Sequence, residues 1–331
     1  MMARTTSAPA ATASAVLALL LLGVGCSARN GGADDVSDVV LRVGDQIDGA
    51  QALLEASGEL DDVPYTIEWS TFTSGPPLLE ALHADAVDIG QVGNTPPVFA
   101  AAAGSDMRIV AAFASSPDST SIVVPTDSDI ESPADLVGHS IAVTKGSSAH
   151  GQLLGVVKAE KLAFDDIDVN YVQPADGLAA FSEGQADAWA AWDPYIAQAE
   201  DRVGAKILVS AEGYSNTFTF QVAAVDALED PAKEAALEDY VGRVHRAVLW
   251  SAAHPDAYAK VWSQHTGLPD KVTRIAAERR APAPRPIDTE LIASEQDLAD
   301  AFADAGEIPE APVMADYVDD RFNDLVPEAE G

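Results

Sequence analysis

The chain has 331 residues, more than one ordinary core needs and enough for two lobes of usual size. Apolar residues make up 47% and aromatics only 6%, with alanine prominent, which suits helices packed closely on sheets and argues against an all-β sandwich. The 53 acids outnumber 19 lysines and arginines, and the net charge of −34 disfavours nucleic acid and anionic membrane surfaces as partners.

The acids are spread along the chain and read as solvated faces. No group of His, Cys and acids has ligand spacing, so neither a metal nor a cofactor is expected. At the N-terminus Arg4 precedes an uncharged apolar run from Ala10 to Gly25, followed by Cys26, the only cysteine. A run this short, opening the chain, predicts an export signal rather than a membrane span. Cys26 at its end predicts thioether lipidation. The place three before it is Gly23, with Leu22 one step further back, so simple cleavage stays open. Residues 27–37 read as a tether.

Beyond the tether, Val39–Val43 and Tyr65–Trp69 predict strands, with a helix over Gln51–Leu60 between them. Ser74-Gly75-Pro76-Pro77 opens a helix with Leu78, Leu79 and Leu82 on its buried stripe. Val87–Gly90 predicts a strand, Thr95-Pro96-Pro97 a helix start, and Arg108–Phe113 the next strand. The alternation resumes with Ser121–Val124, Ser140–Val143, a helix from His150 to Leu162, a strand over Val169–Val172 and a helix from Gly177 to Glu183. Pro231–Arg280 reads as helical, with Trp262 among its buried positions, and Asp288–Phe302 as a last amphipathic helix. Short apolar strands alternating with helices predict parallel sheets with helices on their faces. Segment 73–96 also resembles segment 172–195 at an offset of 99, Asp88 falling on Asp187. Two lobes of like topology are therefore expected, 38–117 with 219–331 and 118–218. Ligands of such sheets gather at the carboxyl ends of the strands, here between the lobes.

Three segments put small polar residues at helix starts: Ser74-Gly75-Pro76, Asn94-Thr95-Pro96 and Gly146-Ser147-Ser148. Helix starts carry unpaired N–H groups and partial positive charge, which suits an anion; ordinary capping is the alternative for each. Lys145 adds a full charge or pairs with a surface acid. Salt screening confines repulsion from the acidic surface to roughly 8–10 Å, so local dipoles can prevail. Trp192-Asp193-Pro194-Tyr195 could wall a ligand's carbon portion or serve as a hinge, and Trp189 reads as core. The histidines at 83, 139, 150, 245, 254 and 265 are isolated, with 139 and 150 assigned to the surface. No nucleophile elbow, Walker loop or dinucleotide fingerprint is present.

With these residues in view, the chain resembles the periplasmic aliphatic sulfonate-binding family, within the nitrate, sulfonate and taurine receptors of ABC transporters. The stretches that carry the resemblance are Gly75–Leu82, Gly93–Ala100, Val143–His150, Asp187–Tyr195 and Arg285–Asp288. It implies an α/β, two-lobed type II periplasmic-binding fold, each lobe a mostly parallel sheet flanked by helices with the ligand cleft between. It implies a monomeric receptor, not an enzyme, that hands an alkanesulfonate to membrane permease and ATPase subunits, touching the membrane only through its lipid. Asn94, Thr95, Gly146, Ser147 and Ser148 would hold the head group, with Trp192 and Asp193 near the mouth or hinge. Ser74, Gly75, Lys145 and Tyr195 complete the candidate set with Gln46. That last residue stands in a loop reading Gly44-Asp45-Gln46-Ile47, where an acid replaces the family's aromatic and the following lysine is missing. Ser115–Asp118 also departs from the family. Taurine, nitrate or another small anion, or a relative of thiamine-pyrimidine-precursor proteins, remain the alternatives.

Overall fold

The computed structural model describes residues 36–327. The export signal, Cys26 and residues 27–35 of the tether lie outside the described residues. In chain order the first half holds β1 (Val40–Gln46), α1 (Gly49–Ser57), β2 (Thr66–Phe72), α2 (Gly75–His83), β3 (Ile89–Gly93), α3 (Thr95–Ala102), β4 (Met107–Ala114), β5 (Thr120–Val124), β6 (Ser140–Val143) and α4 (Ser148–Ala159). Next come β7 (Asp168–Tyr171), α5 (Pro174–Ser182), β8 (Ala188–Trp192), α6 (Tyr195–Val203), β9 (Lys206–Ser210), β10 (Phe218–Ala224) and α7 (Val225–Glu229). The chain ends on α8 (Pro231–Ala253), α9 (Pro255–Thr266), α10 (Asp270–Arg280), β11 (Ala283–Arg285) and α11 (Thr289–Asp304).

The strands form a six-stranded sheet ordered β11-β4-β10-β3-β1-β2 and a five-stranded sheet ordered β7-β6-β8-β5-β9. Both are mixed. β1, β2 and β3 pair in parallel, as do β6, β7 and β8. β10 runs against β3 and β4, β11 against β4, and β5 against β8 and β9. The exceptions have a common origin. β5 and β10 are the first strands after the chain crosses between sheets, so no crossover helix within their own sheet forces them parallel. The stretch 195–230, without a predicted element, holds α6, β9, β10 and α7. β10 is buried on both faces over Phe220–Ala224, which erases the alternation by which a half-buried strand is recognised.

In the second lobe the two-residue period of the strands is plain. Ile122 and Val124 face α4 with Ile141, Val143 and Leu153, whereas Val123 faces the other way with Trp189, Phe181 and Ile196. Trp189 is core, as expected. Gly155 of α4 has no room for a side chain, because a Cβ there would drive into the carbonyl oxygen of Tyr214. Backbone cannot yield as a rotamer can. Gly155→Ala is therefore expected to destabilise the protein by about 1–3 kcal/mol, the usual cost of overpacking. Urea melts that coincide with those of the native chain would refute this.

The internal repeat has a structural counterpart. α2 and α5 occupy Gly75–His83 and Pro174–Ser182, and β3 and β8 occupy Ile89–Gly93 and Ala188–Trp192, each pair at the expected offset. Asp88 accepts from the backbone N–H of Arg42 at the start of β1, and Asp187 accepts from that of Ser140 at the start of β6, both at 2.8 Å. Each acid thus anchors the entry of a central parallel strand. Arg42 and Lys233 also pair with Asp88 and hold its carboxyl below the usual range against the desolvation that would raise it.

Candidate functional site

The carboxyl ends of β1, β3 and β8 and the start of α4 converge on a cleft of about 90 Å³ between the lobes. Asp45, Gln46 and Ile47 line it from β1, and Gln91, Val92 and Gly93 from β3. Ser147, Ser148, Trp192 and Asp193 face them from the second lobe. Gly75 and Pro96 add the starts of α2 and α3, while Trp262 and Arg280 reach in from α9 and α10.

Five helix starts surround this space, and at four of them an acid takes up donors or prolines remove some. Asp45 caps α1: its two carboxylate oxygens accept from the N–H groups of Ala50 at 2.9 Å and Gln51 at 2.8 Å. Asp193 serves α6 with one oxygen, Oδ1, which accepts from Ala197 N–H at 3.2 Å. Burial pushes both carboxyls up to about 6. α2 and α3 open on Pro76-Pro77 and Pro96-Pro97, which have no N–H to offer a guest. Only α4 remains. Its 12 residues begin at Ser148, and its first amides have no partner within the helix.

The loop before α4 is held from behind. Gly146, at φ +72°, turns the chain and faces Phe99 and Pro76 rather than the cleft. Its N–H donates to His150 Nδ1 at 3.2 Å, which leaves the ring proton on Nε2, 3.2 Å from the Tyr171 hydroxyl. His150 is fully buried among Phe99, Phe164 and Phe302, not at the surface as expected, because α4 turns it inward against α11. That burial pushes its pKa down to about 4 and keeps it neutral. Ser147 is the N-cap, its hydroxyl donating to Thr144 O at 2.7 Å and accepting from His150 N–H. The Ser148 hydroxyl has no such internal partner among the described residues. Lys145 points elsewhere, 3.0 Å from Glu307.

Of the residues named from sequence, the cleft gathers Gln46, Gly75, Ser147, Ser148, Trp192 and Asp193. Ser74 and Tyr195 instead join the lobes: Ser74 Oγ donates to Gln173 Oε1 at 3.1 Å, and Tyr195 Oη to Thr73 O at 3.0 Å. The Tyr195 ring stands edge-on to Trp192, with centroids 5.4 Å apart. Asn94 faces the returning crossover. Its Nδ2 donates to Asn216 O and Oδ1, both at 2.8 Å, and its Oδ1 accepts from Thr95. Asn94 and Asn216 border a smaller polar cavity of about 30 Å³ behind Ser148, and Thr95 touches neither space.

Sequence reasoning missed Arg280, Trp262 as a wall, Gln91 and the carboxylate role of Asp45. Trp262 Nε1 donates to Ile47 O at 2.8 Å, fixing the indole, and the Arg280 guanidinium lies 5.8 Å from its ring. No carboxylate is within ion-pair distance of Arg280 among the described residues. In a chain with 53 acids, a half-buried arginine left without one is conspicuous. The signal available was the Arg279-Arg280 pair at the end of a helical stretch in a chain so poor in basic residues.

Residues 76–258 match the NMT1/THI5-like family. An aliphatic sulfonates-binding protein of Escherichia coli (strain K12) is 33% identical over 281 residues, covering 84% of this chain and 88% of that protein. One of Bacillus subtilis (strain 168) is 30% identical over 315 residues, covering 93% and 94%. Among solved structures, the alkanesulfonate-binding protein of Xanthomonas axonopodis pv. citri, bound to MOPS, is 32% identical with a TM-score of 0.77, covering 84% of this chain and 97% of that one. A two-lobed α/β fold with its cleft at the strand ends, matched along most of its length, places this chain in the NMT1/THI5-like family alongside the aliphatic sulfonate-binding proteins.

Proposed function

We propose that this chain is the extracytoplasmic binding component of an ABC importer and that it captures a small alkanesulfonate. The observation that carries the reading is that the start of α4, where Ser147 caps only the His150 amide and the Ser148 and Ala149 amides precede it, faces the unpaired cation of Arg280 in one cleft. A sulfonate is charged at every physiological pH and has three acceptor oxygens. Arg280, the α4 amides and the Ser148 hydroxyl supply donors for them, while Trp192 and Trp262 cover the carbon portion. The cleft's size favours a short tail. The carboxylates of Asp45 and Asp193 in the wall favour a second reading, an amino-substituted sulfonate such as taurine. Export follows from the N-terminal run, with Cys26 as the lipidated anchor, a monomeric receptor as the working form, and capture without turnover.

Calorimetry with ethanesulfonate, longer alkanesulfonates, taurine, nitrate, sulfate and a phosphonate tests this. Sulfonates are expected to bind and to raise Tm, as ligands selective for the native state do. Silence from every sulfonate would overturn the assignment. Ser148→Ala is expected to weaken binding by roughly 1.5–3 kcal/mol, the cost of a hydrogen bond to a charged group. The double variant with Ser147→Ala should also lower Tm, because Ser147 is a cap. Unchanged affinity would move the head group away from α4.

A further inference from the structure

The last two residues of α10 are both arginines, and they point to different tasks. Arg280 enters the cleft. Arg279 reaches to the second lobe, Nη2 lying 2.6 Å from Glu200 Oε2 and Nη1 3.4 Å from Asp193 Oδ2. α10 packs on α9, which packs on α1 of the first lobe, so these pairs span the two lobes. Asp193 is at once a wall of the cleft and the cap of α6, and its side chain is out of contact with solvent. Oδ2 has no hydrogen-bond partner, and Arg279 is the cation nearest to it.

A buried carboxylate in the wall of an anion site would repel the guest unless something neutralised it. We infer that Arg279 is a positioning residue that neutralises Asp193 as the lobes meet, so that the anion on Arg280 can be enclosed without facing a bare like charge. This rests on reading the cleft as a sulfonate site. The groups facing Asp193 are Arg279 and Arg280 from α10 and Glu200 from α6.

The test is a cycle of ethanesulfonate affinities at pH 8 for the native chain, Arg279→Gln, Arg279→Lys, Asp193→Asn and Arg279→Gln with Asp193→Asn. Arg279→Gln is expected to bind about 10- to 100-fold more weakly, as exposure to an uncompensated charge several ångströms away implies. Arg279→Lys should recover most of the loss. In the Asp193→Asn background the Arg279→Gln change should cost less than about threefold, because no charge is left to neutralise. Lowering the pH to 5 should restore Arg279→Gln by protonating Asp193, which packing loss alone would not allow. If Arg279→Gln does not fold, the two variants in the Asp193→Asn background decide: a loss above tenfold between them overturns the inference. Native affinity in Arg279→Gln would overturn it too and leave the sulfonate reading standing, whereas a native chain that binds no sulfonate removes both.

Discussion

Arg280→Gln is expected to bind alkanesulfonates about 30-fold to several thousand-fold more weakly than the native chain, the largest loss of any single change in the cleft. Glutamine keeps a donor and much of the stem, so the loss isolates the charge. The guanidinium has no carboxylate within ion-pair distance, and its ring contact with Trp262 contributes only about 0.5–1 kcal/mol. Tm without ligand should therefore stay close to the native value. Lys145→Gln is the control. Its ammonium, half exposed, pairs with Glu307, and such pairs contribute at most about 1 kcal/mol, so affinity should change little. Equal losses at positions 145 and 280 in titration calorimetry would show that the field of the lobe, rather than one aimed cation, holds the guest.

Glu295 governs a second large effect, on stability against pH. It is buried on α11, its Oε1 accepting from Asn216 Nδ2 at 2.9 Å while Oε2 has no partner. Burial pushes its carboxyl from 4.5 up to about 8, with Asn216 pulling weakly the other way. The native state thus holds a proton that the unfolded chain releases near 4.5. The contribution is fully present below that pH and is lost as pH rises toward about 8, on the order of 5 kcal/mol in all. Glu295→Gln has nothing to titrate. Its Tm minus that of the native chain is expected to climb between pH 5 and pH 8.5. Asp45 and Asp193, also raised, are common to both chains and cancel in the difference. A difference that stays level with pH would show Glu295 ionised in the fold. Because Asn216 also binds Asn94, the same titration bears on the crossover between the lobes.

How much of this was legible in advance depended on whether the cause was local. The helix starts at Ser74, Asn94 and Ser147 were readable because caps and prolines act over three or four residues. Their suitability for an anion was not. Asp45 bonds five and six residues ahead, across the turn into α1, and Asp193 four ahead, so the use of each carboxylate as a helix-start acceptor emerged only when the turn closed around it. Asn94 and Asn216 lie 122 residues apart, and no pattern along the chain could show that the one would be taken up by the other.

Residue order alone carried the strand–helix alternation, the repeat and the candidate loop at Lys145–Ser148, since all three follow from periodicity and from chemistry confined to neighbours. Which charges are left free was settled by packing. Arg279 and Arg280 are adjacent and identical in type, yet packing of α10 on α6 gives one to Glu200 and Asp193 and leaves the other in the cleft. Charge acts through space and is cancelled by whatever folds beside it, so its partner is fixed by distance in the fold and not by position in the chain.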